Sequence, residues 1–176
     1  MIYRLLIFFV LAVFPFISSA QERVEVKDPE IKFSYVLPQG WEVKDDGYDY
    51  KVISRSMENT VISMTYLESA QGSGEFNSIG TKQSFEQDFL FEIQDILPEE
   101  FSNLKVRETG SLTIDGTSAR WVKFQHGNKG EQIGIFYMYQ KLNQSFKITV
   151  SSPASQFEKA KPVFTSVVNS FHAEKR

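Results

Sequence analysis

The chain contains no cysteine. Disulfide staples, thiol nucleophiles and cysteine-based zinc sites are therefore excluded. So is the lipidated cysteine that tethers a bacterial lipoprotein. Histidine is almost as scarce, with His126 and His172 the whole supply. They make no close pair for zinc. A Ser-His-acid hydrolase would have to be built around one of them, and the sequence lacks the Gly-x-Ser-x-Gly elbow that often marks such a site. Charge of one sign is missing too: 19 Lys and Arg stand against 22 Asp and Glu, a formal net charge of −3. That balance leaves no broad electrostatic footprint for nucleic acid or an anionic membrane. No apolar run reaches the ~20 residues needed to cross a bilayer. Internal repeats and long low-complexity tracts are absent as well.

What is present begins with an amino-terminal stretch unlike the rest. Arg4 is its only charge, an apolar run from Leu5 to Ile17 follows, and Ser18-Ser19-Ala20 supplies small residues before Gln21-Glu22-Arg23. A positive start, an apolar centre and a small-residue exit read as a secretory signal peptide over residues 1–20, cleaved after Ala20. Export to a periplasm or to the exterior, in soluble form and without a lipid anchor, is the expectation. A chain without staples must then rely on its core, and 16 Phe, 7 Tyr and 2 Trp supply the material. The remaining length suits one domain, over residues 31–176, preceded by a flexible arm at 21–30.

Periodicity divides that domain. Ile31 to Leu37 alternates apolar and polar residues as a half-buried strand does, and Pro38-Gln39-Gly40 turns the chain into Trp41-Glu42-Val43. Tyr50 to Ser54 and Thr60 to Leu67 read as further strands, with Met57-Glu58-Asn59 between them. Ser69 to Gly80 is a loose loop. From Thr81 the period becomes helical: Phe85, Phe89, Ile93 and Ile96, with Leu90 and Leu97 beside them, fall on one face, and Pro98 is expected to end the helix. Four strand-like runs follow, Leu104–Ile114, Ala119–Gln125, Gln132–Lys141 and Phe146–Val150. They are joined at Asp115-Gly116, Gly127–Gly130 and Asn143-Gln144, residues suited to hairpin turns. In the third run Ile133, Ile135, Tyr137 and Tyr139 face one way while Phe136 and Met138 face the other. That predicts an interior strand covered on both sides. Ser155-Gln156-Phe157-Glu158 fits a capping box for a last helix. Phe157, Ala160, Phe164, Val167, Val168 and Phe171 share its face, and Pro162 interrupts it.

These residues resemble the PsbP-like superfamily. The passage from Phe33 through Pro38-Gln39-Gly40-Trp41 is similar to its strand followed by Pro-x-Gly-Trp. Ile114-Asp115-Gly116-Thr117-Ser118-Ala119 is similar to its Gly-x-x-Ala hairpin. Phe157 to Val168-Asn169-Ser170-Phe171 resembles its closing helix. The resemblance spans nearly the whole chain after the leader and rests on structural residues. It implies an α+β fold, an α/β/α sandwich around a central antiparallel sheet. The superfamily includes an extrinsic photosystem II subunit, a nuclear-transport protein that binds a small GTPase, and exported bacterial proteins of the DcrB type. Most work as accessory or assembly factors, through surfaces. The photosynthetic members' distinctive amino-terminal segment has no counterpart in residues 21–30, so a photosystem role does not transfer.

Candidate site residues are few. Trp41, Tyr48 and Tyr50 are of the type that anchors interfaces, and also of the type that fills cores. Asp45, Asp46 and Asp49 offer carboxylates to a metal, but in a turn cluster without the spacing of a calcium loop. Asp95, Glu99 and Glu100 read as a solvated helix end. His126 sits by a turn, and His172 is expected in the last turn of the final helix, where a positive ring would suit the helix dipole. Nothing calls for a cofactor. The expectation is a non-catalytic exported module, not an enzyme, that binds a protein or envelope component and no nucleic acid. The alternative is a carrier of a small apolar ligand.

Overall fold

A computed structural model describes residues 22–27, 31–45, 50–68, 81–142 and 144–175. The leader at 1–20, the Ser69–Gly80 loop, Tyr48, Asp46 and Asp49 lie outside the described residues.

Among the described residues, ten strands and two helical segments make three layers. In chain order they are β1 (Arg23–Lys27), β2 (Ile31–Val36), β3 (Trp41–Asp45), β4 (Tyr50–Ser54), β5 (Val61–Glu68), α1 (Thr81–Phe91), a π turn (Glu92–Ile96) and α2 (Leu97–Glu100). Then come β6 (Lys105–Ile114), β7 (Thr117–His126), β8 (Gln132–Lys141), β9 (Gln144–Pro153), α3 (Phe157–Ser170) and β10 (His172–Lys175). Strands β3 to β9 form a seven-stranded sheet in the order β3-β4-β5-β9-β8-β7-β6, and β1-β2-β10 form a small one. All the pairings are antiparallel. The α+β sandwich around an antiparallel sheet is the architecture present.

Alternation along the strands sorts the layers. Phe146, Ile148 and Val150 of β9, with Ile62, Met64, Val52 and Trp41 from β3 to β5, join Phe157, Phe164 and Val168 of α3 in the main core. Five side chains of α3 are buried, Phe157, Ala160, Phe164, Val167 and Val168. At roughly 1.5–3 kcal/mol for each large apolar group, that burial easily outweighs the one hydrogen bond lost at Pro162, which is exposed to water. The opposite face carries a smaller core, where Phe89 and Leu97 pack on Val122, Phe124, Phe136 and Met138. β8 therefore feeds both cores, Ile135, Tyr137 and Tyr139 to one and Phe136 and Met138 to the other. It lies inside the sheet, between β9 and β7.

Several local expectations are corrected. Arg23–Lys27 is not an arm but β1, paired along β2 from Arg23↔Val36 to Lys27↔Lys32. Its only apolar residues, Val24 and Val26, pack against the main core, and two valines among charges give too short a pattern to stand out. Pro98 does not end the first helical segment, which runs to Glu100. Steps of four residues drift by about 40° each around an α-helix; the wider π turn takes up an extra residue and returns Leu97 to the face of Phe89. It also leaves a backbone position where proline's missing N–H costs little. Leu90 lies off that face and is 50% exposed. The last helix has no capping box: Gln156 is its N-cap, already in αR, with no side-chain cap bond. The turn after β9, closed by Gln156 N–H donating to Pro153 O at 2.8 Å, does that work. His172 lies beyond the helix, as the first residue of β10.

The β6–β7 turn ties this last strand down. Asp115 (φ 50°) and Gly116 (φ 73°) both take positive φ, the two-residue hairpin of the primed type. The Asp115 carboxylate, only 8% exposed, accepts from Lys141 Nζ at 2.6 Å, the Ala173 amide at 2.8 Å and His172 Nδ1 at 2.6 Å. Burial alone would raise its pKa, but the Ala173 amide, Lys141 and His172 outweigh it and hold the carboxyl below its ordinary value.

Candidate functional site

Among the described residues, the helical layer on the second face packs on β7 and β8. Beneath α1 and α2, strands β7 and β8 present Val122, Phe124, Phe136 and Met138. Beyond their cover, β5 and β9 present Val61, Ser63 and Thr65 opposite Ser151, Thr149 and Lys147. The same strands that send Ile62, Met64, Ile148 and Val150 into the main core thus send hydroxyls and a lysine the other way. The result is a cleft of about 340 Å³ floored by these residues. Lys51 of β4 flanks it, the π turn and α2 overhang it with Glu92, Ile96 and Glu100, and Phe101 and Phe136 form its apolar wall. A second, wider cleft of about 860 Å³ shares Val61, Phe101 and Ser151 and continues past His126 to Arg55 and Glu58. Together they make one groove whose lining mixes polar and apolar groups.

Charge at its inner end is paired. Glu92 of the π turn, 7% exposed, accepts from Lys147 Nζ, a contact that bridges helix and sheet. Insertions of this kind recur at functional sites because they turn an inward position toward a cleft. At the outer end His126 Nε2 and Ser151 Oγ are 2.9 Å apart. The imidazole stands edge-on to Phe101 at 4.8 Å and tilted to Phe124 at 5.6 Å. Burial lowers its pKa, with the charge of Glu131 opposing, so the ring is neutral at neutral pH.

A serine beside a neutral histidine invites comparison with hydrolase chemistry. Catalysis of that kind needs a carboxylate to orient the ring and preorganised donors for an oxyanion. Among the described residues no carboxylate hydrogen-bonds His126; Glu131 instead accepts from the amides of Asn128 and Lys129. Ser151 sits within β9, flanked by β5 and β8, where the backbone amides serve the sheet ladders. The arrangement offers hydrogen bonds rather than a primed nucleophile.

The residues singled out from sequence are placed differently. Trp41 is 6% exposed and packs edge-on against Phe164 at 6.2 Å, so it belongs to the core. Tyr50 is half-buried, edge-on to Phe33 at 5.1 Å. Asp45 closes β3, and its side chain lies outside the described residues, as do Tyr48, Asp46 and Asp49. No cluster of three or more His, Asp or Glu suited to a metal occurs among the described residues. Asp95, Glu99 and Glu100 are exposed, and Glu100 rims the groove. The groove itself was legible only in part: the alternation of Val61, Ser63 and Thr65 is plain, but the sequence gives no hint that the helix stops short of them.

No protein-family model and no curated protein matches this chain. Solved structures do. Cyanobacterial PsbP (CyanoP) from Synechocystis sp. PCC 6803 superposes with a TM-score of 0.59 at 16% identity, over 89% of this chain and 95% of that one. LpqN of Mycobacterium tuberculosis, described as involved in cell envelope biogenesis, gives 0.56 at 9% identity, over 86% and 90%. A Bacteroides thetaiotaomicron protein gives 0.55 at 14% identity, over 82% of this chain and 46% of that one. No helix among the described residues is long and apolar enough to cross a membrane. At such identities the likeness bears on architecture, and the chain has the PsbP-like fold.

Proposed function

We propose that this protein is an exported, non-catalytic accessory module that binds a protein or envelope component through the groove between its helical layer and the β5–β9 floor. One observation carries the reading: hydroxyls, lysines and carboxylates line a groove on a sheet whose other face carries the main core. Polar groups left facing a cleft are suited to a hydrogen-bonding partner. The dyad of His126 and Ser151 lacks the acid that would turn it to chemistry. An apolar cargo fits less well, since it would take the Ser63 and Thr149 hydroxyls out of water without offering them a partner. The cell-envelope role of LpqN is in keeping with this reading, as is the leader expected at residues 1–20.

Site-specific photocrosslinking in the source cell tests it. A photoreactive residue at Glu58 or Glu100, both exposed on the groove rim, should give a discrete adduct. The same residue at Lys159, exposed on α3, should not. Equal adducts at all three positions, or none at the groove, overturn the proposal, as does substrate turnover abolished by His126→Ala.

A further inference from the structure

The net negative charge of the chain conceals a local concentration of the opposite sign. Where β6 begins and β7 ends, a pocket of about 250 Å³ is lined by Lys105, Arg107 and Lys129 with the side-chain amides of Asn103, Gln125 and Asn128. Among the described residues no carboxylate lines it.

Two backbone devices bring the cations together. The β6–β7 register steps from Val106↔Phe124 to Glu108↔Lys123, which makes Arg107 the unpaired residue of a bulge. Bulges re-aim side chains, and Arg107 is held over Gln125, whose Oε1 accepts from its Nε at 2.9 Å and from one terminal nitrogen. That partner is neutral, so it fixes the guanidinium without cancelling its charge, and leaves part of its donor fork unused. From the other side the β7–β8 turn delivers Lys129. Gly127 (φ 89°) and Gly130 (φ 66°) shape this turn, and Gly127 N–H donates to Ser102 O at 2.8 Å.

The nearby acids are otherwise engaged. Glu131 accepts from the amides of Asn128 and Lys129 at 3.2 and 2.7 Å, and Glu108 pairs with Lys123 at 3.5 Å. Three cations thus converge with only neutral donors and acceptors among them. A guanidinium fork, two ammonium groups and amide donors arranged around a small cavity suit an oxyanion with oxygens on several sides, as in phosphate, better than a planar carboxylate.

We propose that this pocket is a phosphate-binding subsite, taking the phosphate of a mono- or diester. It shares no lining residue with the groove beside β5 and β9 and does not depend on the function assigned to that groove. The phosphate can belong to a small soluble ester or to a phospholipid headgroup, and the test separates the two.

Inorganic phosphate is titrated into the isotopically labelled protein at constant ionic strength, with chloride as control. Saturable shifts are expected at the Arg107 Nε–H and the Gly127 to Lys129 amides. Arg107→Gln, at an exposed position, should weaken binding at least tenfold, and Lys129→Gln should weaken it as well. Co-sedimentation with phosphatidylglycerol-containing vesicles, against phosphatidylcholine alone, then identifies the source. Sedimentation lost in Arg107→Gln assigns a headgroup; saturable phosphate binding without sedimentation assigns a soluble ester. Chloride producing the same shifts, or no saturable response to either probe, overturns the proposal.

Discussion

Replacing Asp115 by asparagine isolates the electrostatic part of the junction between the β6–β7 turn and β10. Asparagine tolerates the positive φ of this turn position and can still accept from the Ala173 amide, so backbone shape is kept. The charge opposite Lys141 and His172 is lost. A hydrogen bond to a charged group contributes ~1.5–3 kcal/mol. Lys141 is 24% and His172 43% exposed, so both regain water and recover part of that. Asp115→Asn should therefore cost about 1–2 kcal/mol at pH 7. Asp115→Ala should cost about 3 kcal/mol, because it also strands a buried amide and places a Cβ without a polar group at positive φ. Urea unfolding followed by the fluorescence of buried Trp41 measures both. The pH dependence supplies a second reading. A carboxyl held below its ordinary value in the folded state contributes stability that is present above its unfolded pKa of about 3.9. That contribution is lost as pH falls through the lower folded value. The gap between wild type and Asp115→Asn should thus close in acid, as pH falls through the lowered folded pKa of Asp115. A gap below about 0.5 kcal/mol at pH 7, or one that does not shrink in acid, refutes this account of the junction.

Other outcomes follow from single sites. At Gly134 an added Cβ would lie 2.5 Å from Cζ of Phe124, a ring with no exposure and nowhere to move; Gly134→Ala should cost about 1–3 kcal/mol in the same urea assay. Leu142 holds φ 56° in the β8–β9 turn and is 40% exposed, so Leu142→Gly should stabilise by about 1 kcal/mol, seen as a higher melting temperature. The His126 ring should titrate below 6.5 by proton NMR. Because the unfolded ring takes its proton first, this group lowers stability as pH falls through about 6.5, an effect absent from His126→Gln. Lys147→Met leaves Glu92 buried without its partner and should cost about 3 kcal/mol, whereas the exposed Lys159→Met should be nearly neutral.

The framework was readable because apolar spacing and turn chemistry agree along most of the chain. Asp115-Gly116 announces its hairpin, and the two-faced β8 announces an interior position. What escaped were features set by partners distant in sequence. β1 and β10 carry few apolar residues and become strands only because β2 offers a hydrogen-bonding edge to each. The π turn is invisible because its residues are ordinary helix formers, and only the packing of Leu97 reveals the extra residue. The aromatic candidates were ambiguous for a similar reason. Trp41 and Tyr50 are equally at home in cores and at interfaces, whereas Ser63, Thr149 and Ser151 acquire meaning only when α1 and α2 leave them uncovered. The basic pocket was hidden by averaging, since a net charge records none of the convergence of Lys105, Arg107 and Lys129.

β2 receives β1 on one side and β10 on the other. Arg23 fastens the arrangement by donating to Ser34 Oγ and to the Ser170 carbonyl at the end of α3, each at 3.0 Å. The earliest described strand and the latest thus meet in one clasp that cannot shut until the final segment has been made. Any chain threaded through a membrane pore before folding gains from such a lock, since its partly emerged length has no completed structure to jam the passage. Trimming the residues after Phe171 would open the clasp from its cheapest side, uncovering Phe33 and Phe171 together.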